Sequence, residues 1–238
     1  MELLAVRMVQ KGGHELQGVS VVKIYARVMA AVLACIGAVG MTGAQAQALP
    51  APKEFYFDQD ASTTRPVVAI AGTGDALVER LANTVQRNSY AGSGTSEARA
   101  QLAAIAMTDG RQELGKQLYQ EALQGLSGSA QRRQMAWNYG WSLLRIGDPA
   151  GALNQWSGLI NGHPAAPDWI PPTLALVLWR LQRKDEAVKW YAAAVRTWPD
   201  KWGGGADFAA LLPNWRDAER ATLADVHAAW QAAPPAWP

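Results

Sequence analysis

The residue types that usually carry catalysis are few in this chain and poorly spaced for it. Of its three histidines, His14 lies near the start, His163 sits between Gly162 and Pro164, and His227 falls in a helical stretch. No Cys/His spacing accompanies them, whereas a zinc site needs three or four ligands brought together. Gly92-Ser93-Gly94-Thr95 lacks the Gly-x-Ser-x-Gly order of a nucleophile elbow and reads as a flexible turn. Gly72-Thr73-Gly74-Asp75 is followed by neither Lys-Ser nor Lys-Thr, so it reads as a turn and helix cap rather than a phosphate loop. The acidic pairs Asp58 with Asp60 and Asp185 with Glu186 fall in loops or turns, with no nucleophile for them to activate. The expectation is a chain with no catalytic residue, no metal and no cofactor, and not an enzyme.

Recognition chemistry is better supplied. All 11 tryptophans lie between Trp137 and Trp237. Two arginines, Arg145 and Arg180, recur 35 residues apart. Once the first 46 residues are set aside, with Arg7, Lys11, Lys23, Arg27, Glu2 and Glu15, basic and acidic residues balance. Nucleic acid, which calls for a basic surface, is therefore not an expected partner.

These side chains need elements to position them, and small residues mark where the elements pack. Ala103, Gly140 and Ala175 recur at offsets of 37 and 35. Twelve residues after each comes another small residue, Gly115, Ala152 and Ala187, and four further on a large aromatic, Tyr119, Trp156 and Tyr191. Pro164 and Pro199 close the second and third copies. Each copy is two amphipathic helices that cannot bury their apolar faces alone, so neighbouring copies must stack. Small residues at the crossing let the two axes approach closely.

This register resembles the tetratricopeptide repeat family over about residues 96–199. The third copy is the clearest, with Ala175, Leu178, Ala187, Tyr191, Ala194 and Pro199. The first is degenerate, with Gly115 for the usual alanine and Ser127 where proline is expected. The resemblance implies an all-α fold, a superhelix of antiparallel helix pairs over 96–130, 133–166 and 168–201. A helix at about 75–87 and another at about 215–232 would cap its ends. It also implies a concave groove lined by the first helix of each pair, the side on which family members bind extended peptides. The lysine and asparagine that clamp a peptide carboxylate in some members have no counterpart here.

Helical offsets from Gly140 and Ala175 put Gln134, Trp137, Trp141, Leu144 and Arg145 along one side of the second unit, and Trp169, Pro172, Leu176, Trp179 and Arg180 along the third. Trp137, Trp141, Arg145, Trp169, Leu176, Trp179 and Arg180 are the expected peptide-binding groove. The expected function is a scaffold for a protein or peptide. A glycan- or peptidoglycan-binding module with exposed tryptophans is the alternative, and cell-wall association would follow from it.

The N-terminus has the order of a secretory signal. Lys23 and Arg27 precede an apolar run from Val28 to about Met41, and Ala44-Gln45-Ala46 or Ala46-Gln47-Ala48 supplies the cleavage frame. The run is shorter than the roughly 20 residues that span a bilayer. Residues 1–46 are accordingly expected to be an N-terminal extension and signal peptide, and residues 47–74 a proline-containing lead-in whose 54–70 stretch pairs as short strands or lies extended on the helices. Residues 75–238 are the helical domain, without a stable membrane span, placed in the periplasm or outside the cell. Cys35, the only cysteine, offers a lipobox as the lesser alternative, and without it the mature chain has no disulfide.

Overall fold

The computed structural model describes residues 48–87, 93–161 and 166–236. The expected signal segment with Cys35 and the Ala44-Gln45-Ala46 frame, together with His14, His163, Pro164 and Trp237, lie outside the described residues. Within 47–238, which forms one unit, the fold is all-α, with no β-strand among the described residues.

Three pairs of consecutive helices make up the body. Helix α3 (Ser93–Thr108) packs on α4 (Gln112–Gln124), α5 (Ser129–Arg145) on α6 (Pro149–Asn161), and α7 (Ile170–Arg180) on α8 (Lys184–Thr197). Helix α2 (Gly74–Arg87) packs on α3 at one end, with Leu77 and Leu81 buried. At the other end α11 (Asp217–Ala232) packs on α7 and α8 through Leu223 and Val226. Three one-turn helices complete the chain: α1 (Ala61–Thr64), α9 (Pro199–Trp202) and α10 (Phe208–Leu211). Two of the helix starts differ from the sequence reading. Helix α3 begins at Ser93, inside the expected glycine turn. Helix α11 begins at Asp217 rather than Trp215, and its cap is the carboxylate of Glu219, which accepts from the Arg216 amide at 2.7 Å. Asn214 and Asp217, although spaced three apart like a capping box, do not perform this role.

The three turns within the pairs are the same turn. In each, the second residue has positive φ: Gly110 at 82°, Gly147 at 87° and Gln182 at 60°. In each, the third residue's amide donates five positions back: Arg111 to Ala106, Asp148 to Leu143 and Arg183 to Leu178. Glycine suits the left-handed conformation, which glutamine adopts at a cost. In the middle turn Asp148 caps α6 by accepting from Gly151 N at 2.8 Å, and Pro149 takes the first helical position, where its missing N–H costs nothing.

Small residues do set the close approaches. A methyl group on Gly115 would lie 2.9 Å from the Ala103 carbonyl oxygen, and one on Gly140 would lie 2.2 Å from Trp156 Nε1. The Trp156 indole is fully buried over Gly140 and donates to the Trp137 carbonyl at 3.2 Å. Ala152, Ala175 and Ala187 are wholly buried.

Of the two courses expected for residues 54–70, paired strands are absent and the stretch lies on the helices. It lies along the helix pairs as a strap, with α1 and a single parallel bridge between Asp58 and Pro167 as its only regular features.

Candidate functional site

The strap meets all three helix pairs in turn. At its beginning Tyr56 is buried against Trp190, and its amide donates to Thr197 Oγ1 at 3.1 Å. Asp58 then exchanges backbone bonds with residues before α7, accepting from Asp168 N at 2.8 Å and donating to the Ala166 carbonyl at 3.2 Å. Asp60 accepts from Trp169 Nε1 at 3.3 Å. On α5, the side-chain amide of Asn138 donates to the Arg65 carbonyl at 3.0 Å, and that of Gln134 donates to Arg65 and Pro66. On α3, Gln101 accepts from the amides of Ala69 and Ile70 at 2.8 and 3.0 Å and donates to the Ile70 carbonyl at 2.8 Å. Side-chain amides thus hold an extended backbone by its peptide groups, a contact that does not depend on the side chains being held.

The other flank is covered by the C-terminal segment. Arg145 donates through Nε and Nη2 to the two carboxylate oxygens of Glu219, at 2.8 and 3.2 Å. This charge-assisted pair is bidentate, and the Glu219 side chain is only 6% exposed. Trp215 stands edge-on to Trp141 at 4.9 Å, and Arg180 reaches the Ala218 carbonyl at 3.5 Å. Both arginines of the expected groove therefore meet the N-terminal end of α11.

Between strap and C-terminal segment lies a cleft of about 570 Å³, with Thr64 and Pro66 on one wall and Leu211 to Trp215 on the other. Trp137, Trp141, Arg145 and Trp169 line it, joined by Asn138, Ser142, Asp168 and Thr173. The structure thus brings together four of the seven expected groove residues. Leu176 is fully buried in the core, while Trp179 is half-buried under Lys184 Nζ at 4.8 Å. Arg180 is exposed beside α11.

The three clefted tryptophans are not an open platform. Trp137, Trp141 and Trp169 are 8% exposed or less and meet edge to face, with Trp137 at 4.5 Å from Trp169 and 5.7 Å from Trp141. The exposed ring faces that glycan stacking needs are absent at these positions. His227 is enclosed by Tyr191, Phe208 and Trp230. Among the described residues no cluster of three or more His, Cys, Asp or Glu is arranged for a metal, and no helix is long and apolar enough to cross a membrane.

Electrostatics single out Asp168. Burial raises its carboxyl pKa to about 6, repulsion from Asp58 and Asp60 adds to the rise, and Lys201 and the Trp169 amide oppose it. Burial likewise pushes the Tyr119 hydroxyl up to about 12, although Ser142 lies at hydrogen-bond distance, 3.0 Å.

Sequence reasoning missed Gln101, Asn138 and Glu219. Gln101 and Asn138 sit one position off the offsets that marked the groove side, and polar amides on a helix carry no periodic signal. Glu219 was detectable: it stands at the third position of α11, where acidic residues cap. Set against known protein families, curated proteins and solved structures, the chain matches none.

Proposed function

We propose that the chain is a non-enzymatic helical-repeat scaffold of the tetratricopeptide type, exported to the cell envelope, that binds an extended polypeptide across the first helices of its three pairs. Two features support the repeat reading: the same hydrogen-bonded turn at spacings of 37 and 35, and the same close small-residue approach in the first two pairs. The observation that carries the binding reading is the grip of Gln101, Gln134 and Asn138 on backbone groups of residues 65–70. A surface that holds one extended segment by its peptide groups is chemically suited to another of the same form. The export signal belongs to the sequence, and with it the envelope setting.

The strap occupies this surface in the free protein, so a partner has to displace it. The test uses the chain from Gln47 as bait against envelope extract, with a synthetic peptide of residues 54–70 as competitor. A partner that is released by the peptide, and that binds less well after Gln101→Ala with Asn138→Ala, supports the reading. Partners that withstand the peptide and both substitutions would place binding elsewhere and overturn it.

A further inference from the structure

We propose that the cleft between the strap and the C-terminal segment binds a primary alkylammonium group, with Asp168 as the counter-ion. Its size falls in the range of small-ligand sites. Its lining includes five tryptophans, Trp137, Trp141, Trp169, Trp202 and Trp215, whose edges offer apolar surface to an alkyl chain. Asp168 is the acidic residue among the lining residues. Asp58 and Asp60 lie close enough to repel its charge. A cation placed beside Asp168 relieves both the desolvation and the repulsion that strain this carboxylate.

The cationic groups nearby do not cancel the effect. Arg145, also on the wall, has its charge taken up by Glu219. Lys201, exposed on α9 and over the Trp198 ring at 4.5 Å, is the strongest charge acting on Asp168 and outweighs Asp58, yet burial still leaves the carboxyl pKa raised.

A second observation is independent of charge. Thr173 lines the same cleft, is 1% exposed, and its Oγ1 has no hydrogen-bond partner. Buried hydroxyls are normally paired, and an orphaned one is costly. An ammonium N–H donating to Thr173 Oγ1 would supply the missing partner, which a quaternary cation cannot do. The hydroxyl therefore calls for an ammonium that bears N–H groups, and a primary one, from a free amine or a lysine side chain, has three to divide between Thr173 and Asp168.

Pentylammonium and its neutral counterpart pentan-1-ol, followed by tryptophan fluorescence, test the proposal. Pentylammonium is expected to bind about tenfold more tightly at neutral pH. That preference should fade as the pH falls through about 6, where Asp168 takes up a proton. Asp168→Asn keeps an oxygen for the Trp169 amide and should abolish the preference without unfolding the protein. Thr173→Val should raise the melting temperature of the free protein yet weaken pentylammonium binding. Nα-acetyl-lysine N-methylamide separates the sources: binding as tight as pentylammonium assigns a polypeptide lysine, and its exclusion assigns a free amine. Equal binding of amine and alcohol, a preference that survives Asp168→Asn, or no binding of pentylammonium would overturn the proposal.

Discussion

At the scale of single residues, Glu219 does two jobs with one carboxylate. It neutralises Arg145 and it caps the helix on which it stands. Glu219→Ala leaves a guanidinium and a helix-end amide without their acceptor. Arg145 keeps 30% of its side chain exposed, so water recovers part of the loss. The expected cost is about 1–3 kcal/mol, below that of a fully buried pair. Urea denaturation measures it, and an unchanged midpoint would remove the pair from the list of contacts that stabilise the fold. Asp168 behaves in the opposite sense. Its folded pKa, about 6, lies above its ordinary value of 3.8, so the folded state binds the proton more tightly than the unfolded chain. This contribution is fully present below about pH 4 and is lost as pH rises through about 6. Asp168→Asn should therefore stabilise the protein at pH 7 relative to the parent, with the advantage vanishing at pH 4. Melting temperatures at the two pH values check the sign, and a larger advantage at acid pH would refute it.

At the scale of the helix pair, glycines at two positions in one hairpin have opposite consequences. Gly140 is buried against the Trp156 indole, where an added methyl would meet Nε1 at 2.2 Å. Gly158, on α6, is exposed and has nothing within 4 Å of an added methyl. Gly140→Ala should cost about 1–3 kcal/mol by overpacking. Gly158→Ala should gain about 0.5–1 kcal/mol, because alanine loses less freedom in a helix. Thermal denaturation of both variants is the check, and two changes of the same sign would contradict this packing. The pairs were legible in the sequence because their determinants are local: a small residue at the crossing, a large aromatic four positions on, a turn that wants glycine. The helix boundaries were less so. Ser93 to Thr95 entered α3 despite their turn-like composition, and α11 started two residues late because Glu219, not Asn214, supplied the cap. Helical offset alone grouped Trp137, Trp141 and Trp169, which the structure brings together in one cleft. Their burial was not legible, since it comes from neighbouring indoles and from chain termini that fold back over them.

At the scale of the whole 47–238 unit, the strap and the C-terminal segment flank the cleft lined by α5 and the start of α7. Toward its C-terminal end the strap is held by the side-chain amides of Gln101, Gln134 and Asn138 together with the partly buried Val67, Ala69 and Ile70, and near its start by Tyr56 on Trp190. Among its exposed side chains three are large and apolar, Phe55, Phe57 and Val68, and Phe55 stacks on Phe57 at 5.4 Å. The sequence pattern of residues 54–70 left two courses open, paired strands or an extended path on the helices, because backbone groups held by distant side chains leave no periodic trace. Residues 65–70, held by a few hydrogen bonds of on the order of 1 kcal/mol each and by side chains that are only partly buried, are expected to open before the helix pairs do. Gln101→Ala with Asn138→Ala removes four of those bonds and leaves the buried cores of the pairs untouched. Hydrogen exchange should then quicken at the amides of Ala69 and Ile70, while those within α5 and α7 keep their protection. Limited proteolysis should likewise cut first near Arg65. If instead exchange quickened throughout the three pairs, the strap would be part of the cooperative core, and a partner could reach the surface beneath it only by unfolding the protein.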